Sequence, residues 1–189
     1  MHNLEPHPNL DRDRDRTRNT SPLDPAGPTA GMPRLAAAAV ASLAVLAPAV
    51  AGTVWGPQRF WPGLWYRWLR KPGFQPPDAV LPIAWGLIDT ASAAGAYRLL
   101  RCPPSPQRSQ ALGWWALNVA LTAGWSGLFF GRRNLPLSTL AAAAMVGSGV
   151  AYVAQSRQVD RPAAAAGVPF VAWVAFATVL TAAIWHKNR

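Results

Sequence analysis

Beyond residue 34 the chain is a series of long apolar runs separated by short polar breaks rich in proline. The runs are Leu35 to Val54, Ala79 to Leu100, Ala111 to Phe130, Leu137 to Ala154 and Ala163 to Trp185. The first carries no charge from end to end. At a helical rise of about 1.5 Å per residue it reaches roughly 30 Å, the thickness of a bilayer hydrocarbon core. The runs do not alternate with period two, and they are rich in alanine, a poor strand former. Since only helices and closed barrels satisfy the backbone in lipid, helices are expected. Pro136 and Pro162 stand just before the fourth and fifth runs, as proline does near helix starts. Pro72, Pro76 and Pro77 precede the second run, and Pro103, Pro104 and Pro106 follow it.

This pattern predicts an all-α membrane protein, a five-transmembrane-helix bundle with a disordered N-terminal tail. The expected helices cover about 35–54, 79–100, 111–130, 137–154 and 163–185, with a lid loop over 55–78. The first run is also weighed as a signal peptide. Its apolar stretch is longer than the roughly 7–15 residues usual there, and it follows a long tail, so an anchor is the preferred reading. Residues 1–34 hold six of the 19 prolines and show no apolar period. Such a segment buries too little surface to offset its ordering entropy. The expected domains are therefore a disordered tail, 1–34, and a membrane domain, 35–189.

Composition and charge sharpen this division. Mean hydropathy is only +0.08 because a polar tail dilutes an apolar core. The five arginines of the tail balance five acids, so the rest of the chain carries the whole net charge of +10. Its basic residues sit at the ends of the apolar runs, as in Arg98 and Arg101, Arg132 and Arg133, or Arg157 and Arg161. That is membrane-protein placement, and it argues against a nucleic-acid partner. Across five crossings, Arg59, Arg67, Arg70, Lys71, Arg132, Arg133, Lys187 and Arg189 fall on one side. Arg34, Arg98, Arg101, Arg108, Arg157 and Arg161 fall on the other. The difference favours a cytoplasmic C-terminus, a margin that Arg16 and Arg18 of the tail would erase. The expected location is the bacterial cytoplasmic membrane.

Candidate chemistry is sparse. Cys102 is the single cysteine, and His2, His7 and His186 lie near the termini, so neither a disulfide scaffold nor a metal centre is expected. No nucleophile–base pair or phosphate loop is found, which argues against conventional enzyme classes and leaves enzymatic activity open. The chemistry rests instead on ten tryptophans. Trp55, Trp61, Trp114, Trp115 and Trp185 suit an interfacial belt. Trp85, Trp125 and Trp173 lie within the runs, placed so that alternating helices bring them toward one side of a bundle. Ordinary helix packing and a stackable cavity for a flat ring system are both open readings of these three. Asp89 follows Trp85 by four residues and shares its helix face. An acid inside a span marks a functional site or a structural carboxylate, with Thr90, Thr122 and Thr181 as candidate hydrogen-bond partners.

The stretch from Trp65 to Asp78, WYRWLRKPGFQPPD, is too aromatic and basic for a passive linker. As a lid it is expected to turn Tyr66 and Trp68 inward and Arg67, Arg70 and Lys71 outward. It also resembles the signature of the TspO/MBR family, the tryptophan-rich sensory proteins or translocator proteins. Trp65, Tyr66, Leu69, Lys71, Pro72, Phe74, Pro76, Pro77 and then Trp85 match that pattern. The block from Trp125 to Gly131, WSGLFFG, is similar to the family's W-S-P-L-F-F-G. Val168 to Thr178 is similar to V-P-Y-x-x-W-x-x-F-A-T. The resemblance covers about residues 35–189.

The resemblance implies a five-helix membrane bundle, usually a homodimer, that contacts lipid and binds tetrapyrroles (porphyrin or haem as ligand, with no required cofactor). By position it places Tyr66, Trp85, Trp125, Ser126, Trp173 and Ala177 in the ligand pocket; Trp68, Asp89 and Thr122 join them on their location. It links Trp85 and Trp173 to light- and oxygen-dependent porphyrin breakdown. The chain departs from the family at Asp89, Thr122 and Thr181, where Tyr, Asn and Asn are usual, and at Gly127 and Phe170. Asn118 lies one turn before Thr122. The last run has no Tyr before its terminal basic residues, so cholesterol handling is not supported. On the fourth run Thr139, Ala143, Gly147 and Ala151 form a small-residue stripe, which suits a dimer interface or packing within the monomer. Two other classes remain: a small proton- or cation-coupled transporter using Asp89, and a regulatory membrane partner whose tail recruits a soluble protein.

Overall fold

The computed structural model describes residues 31–56 and 60–189. The expected disordered tail, as far as residue 30, lies outside the described residues, as does Arg59. Among the described residues the secondary structure is helical throughout: α1 (Arg34–Trp55), α2 (Phe60–Trp68), α3 (Val80–Arg101), α4 (Pro106–Ser126), α5 (Leu135–Arg157) and α6 (Arg161–Lys187). α4 runs on through a wide π turn, Gly127–Gly131.

Helix starts follow local chemistry. The side chains of Ser105, Asn134 and Asp160 accept from the backbone N–H groups of Arg108, Leu137 and Ala163. Each satisfies a donor that the first turn leaves unpaired. Pro106, Pro136 and Pro162 occupy the first or second helical position, where a missing N–H costs nothing. The helices thus reach beyond the apolar runs into their polar flanks, and α4 begins at Pro106, ahead of Ala111. The expected lid loop contains α2.

The five long helices close into a ring. α1 packs on α3 and α4, α3 on α6, α6 on α5, and α5 on α4. At one end the ring is filled by small residues. Ala37, Ala41, Ala96, Ala111 and Ala163 are buried there with Leu99, Leu100, Trp115 and Tyr152. A Cβ built on Gly167 would lie 2.5 Å from Tyr152 Cε1, and one on Gly95 would lie 2.5 Å from the Tyr152 hydroxyl. Glycine at these positions is what lets α3, α5 and α6 meet around that tyrosine. Met32 is tied in by its N–H to the Leu100 carbonyl, 2.8 Å, and its own carbonyl accepts from Arg101, 3.0 Å.

α1, α5 and α6 are long and apolar enough to cross a membrane. α3 and α4 carry more polar residues, and two of them, Asn118 and Thr122, are buried between helices. On α5, Ala143 and Gly147 are exposed on the outside of the bundle, with Thr139 and Ala151 half-buried at the ends of their stripe. A Cβ on Gly147 would meet nothing within 4 Å.

One expectation about the belt is corrected. Trp114 and Trp185 are partly exposed, but Trp115 is buried and its indole N–H donates to Ser92 Oγ, 2.9 Å. Neighbouring helical residues point about 100° apart, so Trp114 and Trp115 do not share a lipid-facing surface. The side chain of Trp61 lies outside the described residues.

Candidate functional site

At the other end the ring opens into a cavity of about 700 Å³. Every long helix contributes to its wall. Trp85 and Asp89 come from α3, Thr122, Trp125 and Ser126 from α4, Met145 from α5, and Trp173, Ala177 and Thr181 from α6. α2 brings Tyr66 over it. Eight residues nominated from sequence therefore meet around one space: Tyr66, Trp85, Asp89, Thr122, Trp125, Ser126, Trp173 and Ala177.

Trp68 does not join them. It is 79% exposed and is absent from the lining. The expectation turned both Tyr66 and Trp68 inward. In a helix, residues two apart point to nearly opposite sides, and α2 turns Trp68 out as it turns Tyr66 in. Lys71 also departs from expectation: its Nζ lies 3.6 Å from the centroid of the Tyr66 ring, a cation–π contact.

The aromatic wall is a packed assembly. Trp125 stacks on Phe129 with centroids 4.8 Å apart, and Phe130 meets both edge-on. Trp65 and Tyr66 approach Phe129 edge-on at 5.5 and 6.3 Å. The Trp125 indole N–H donates to the Ser138 carbonyl, 3.0 Å, which sets the ring plane. The π turn puts Phe129 and Phe130 toward the lid. Trp55 of α1 lies against Gly127 and Gly131, where no side chain blocks it.

The lid is tied to the end of α6 and braced within itself. Asn188, just past α6, accepts from the Arg70 N–H at 3.0 Å and donates to the Arg70 carbonyl at 2.9 Å. Gln75 Nε2 donates to the Tyr66 hydroxyl at 3.1 Å. Burial, helped by the charge of Asp78, pushes the Tyr66 phenol up to about 12, so it is neutral over the physiological range.

The threonines expected as partners of Asp89 bond elsewhere. The hydroxyls of Thr90, Thr122 and Thr181 donate to the carbonyls of Gly86, Asn118 and Ala177 on their own helices. Sequence reasoning missed the contribution of α1, which lines the cavity with Pro48, Ala49, Gly52, Thr53 and Gly56. The small residues at three- and four-residue spacing after Pro48 are the available signal. It also missed Asn188, whose role depends on a chain end meeting a lid 118 positions away.

The model of the TspO/MBR family matches residues 33–186. The translocator protein of Ovis aries is 33% identical over 127 residues, 66% of this chain and 75% of the relative. Protein CrtK of Rhodobacter capsulatus is 29% identical over 130 residues, covering 68% and 81% of the two chains. The tryptophan-rich sensory protein of Cereibacter sphaeroides is 29% identical over 134 residues, covering 71% and 80%. With its apolar helices this match makes the chain an integral membrane protein, and it belongs to the TspO/MBR family.

Proposed function

We propose that this chain is a membrane receptor or sensor that binds tetrapyrroles, porphyrin or haem-like, in the cavity beneath α2. The observation that supports this most is the meeting of Trp85, Trp125 and Trp173 around one apolar space of about 700 Å³. Aromatic faces stack on flat macrocycles, and the volume lies within the usual range of small-molecule sites, about 300–1,000 Å³. The names of two relatives, a sensory protein and a translocator protein, accord with reception or movement of a ligand.

In this reading all five long helices cross the membrane, which is the bacterial cytoplasmic membrane, with the C-terminus cytoplasmic. The outward stripe at Ala143 and Gly147 serves a homodimer. Trp85 and Trp173 border the ligand, where photo-oxidation of a bound porphyrin with dioxygen as oxidant would begin.

The test is titration of protoporphyrin into purified protein in neutral detergent, in the dark and in light. Binding quenches tryptophan emission, and light-dependent breakdown shows as loss of porphyrin absorbance. Trp85→Phe combined with Trp173→Phe is expected to weaken binding about tenfold or more, given about 1 kcal/mol per aromatic contact. Unchanged affinity in the double variant would move the ligand out of this cavity.

A second reading has its own observation. Asp89 lies between this cavity and a smaller chamber within the ring, a position from which a transporter could relay a proton or cation. It predicts pH-dependent flux into liposomes that Asp89→Asn abolishes.

A further inference from the structure

The cavity has charge of one sign. Its charged lining residues are Asp78 and Asp89, and no Lys or Arg lines it among the described residues. Of the basic residues of the lid, Arg67 and Arg70 are exposed, and the ammonium of Lys71 is engaged on the Tyr66 ring rather than in the lining. Inside a low-dielectric space such charges act strongly and are little screened.

Asp89 also has a second neighbour. Behind it is a chamber of about 20 Å³, whose polar lining includes Asp89, Ser92, Trp115, Asn118 and Thr122. That is room for a single water. Ser92 Oγ accepts from the Trp115 indole, which leaves its own hydrogen to donate. Asn118 lines the chamber, and because its Oδ1 accepts from Ser148 Oγ, its amide N–H groups are the polar atoms left without a protein partner among the described residues. Thr122 spends its hydrogen on the Asn118 carbonyl. The chamber therefore offers donors from Ser92 and Asn118 and one strong acceptor, Asp89. A water that accepts from the former and donates to the latter satisfies all three. A bare metal cation would face the Asn118 N–H groups and is disfavoured.

We propose that Asp89, held from behind by this water, is a subsite for a positively charged group on the rim of a flat aromatic ligand. The cavity then selects cationic over anionic ring systems. This deepens the receptor reading and rests on it. A tetrapyrrole with free carboxylates has to keep them at the mouth, whereas one carrying ammonium groups gains an ion pair at depth.

Two porphyrins of one ring system test it: protoporphyrin, with two carboxylates, and its bis-amide with ethylenediamine, with two ammonium groups. Dissociation constants are read by tryptophan quenching in neutral detergent, with the whole chain. In the unaltered protein the diamine is expected to bind at least about tenfold tighter than the diacid. Asp89→Asn keeps the shape, removes the charge, and should bring the two within about threefold, chiefly by weakening the diamine. Asp89→Glu should retain the preference, and Ser92→Ala should reduce it in part. Equal binding of both probes by the unaltered protein, or a preference that survives Asp89→Asn, overturns the subsite while leaving the receptor reading standing. Quenching by neither probe overturns the receptor reading, and the subsite falls with it.

Discussion

The same helices build two unlike ends. Around Tyr152 the ring is closed by alanine and glycine, and backbones approach until a single added carbon collides. Around Trp125 the ring is held apart by indole and phenyl rings, which pack against one another and leave a space between the helices. In lipid, where apolar side chains gain little by leaving the acyl chains, close packing of small residues is what draws helices together. The small-residue end can therefore anchor the fold, so that the aromatic end need not be filled. Stability and binding are expected to separate along the length of α3, α5 and α6.

The sharpest way to break this contrast is to add volume at each end. Gly167→Val drives carbon into the Tyr152 ring. It should cost about 3 kcal/mol, read as a large drop in melting temperature in detergent. At the cavity end, a Cβ on Gly86 meets nothing within 4 Å. Gly86→Ala should therefore stabilise the helix by about 0.5–1 kcal/mol on the same measurement. A similar loss at both positions would show that the two ends are equally tight.

A smaller effect is expected at Asp160, which caps α6 at the packed end. Its carboxylate accepts from the Ala163 N–H at 2.7 Å and pairs with Arg98 at 2.8 and 2.9 Å. Asp160→Ala should lower stability by about 1 kcal/mol through loss of the cap. The Arg98 hydrogen bond, with help from the Ala163 N–H, holds the Asp160 carboxyl below the ordinary carboxylate range, although partial burial opposes it. A depressed value means that its contribution is whole at neutral pH and is lost as the pH falls through the folded value. Thermal melts on acidification should show this loss in the unaltered protein and less of it in Asp160→Asn.

Tyr152→Phe removes the hydroxyl that donates to the Ala163 carbonyl at 3.2 Å. The change should cost about 1 kcal/mol in a thermal melt, without altering porphyrin quenching. The smallest effect belongs to Trp68→Ala, whose side chain is mostly exposed. Stability should move by no more than about 0.5 kcal/mol there, and ligand affinity should hold. A marked loss of affinity in that variant would restore Trp68 to the site.

Much of the site is legible in the sequence because its residues are rare against their background. A carboxylate in an apolar run, or indoles a turn or more inside one, are visible without coordinates, and Trp85, Asp89, Trp125 and Trp173 stand out that way. Trp68 and Trp115 are misplaced by the same reading because each requires a direction around a helix axis. In these runs inward and lipid-facing residues are alike apolar, so no strong periodicity marks the buried face. The wall from α1 escapes for the same reason: Gly52 and Gly56 matter only once a neighbouring helix is known.

Sequence alone determined the long helices, the prolines near their starts, the site of the lid and the family, since these depend on hydropathy, local backbone preference and contiguous motifs. The tertiary structure decided the order of helices in the ring, which end is packed and which is hollow, and that Asp89 stands between two cavities. Those properties depend on which surfaces meet across distant segments, and a chain whose faces are nearly uniform in polarity does not write them into its local pattern.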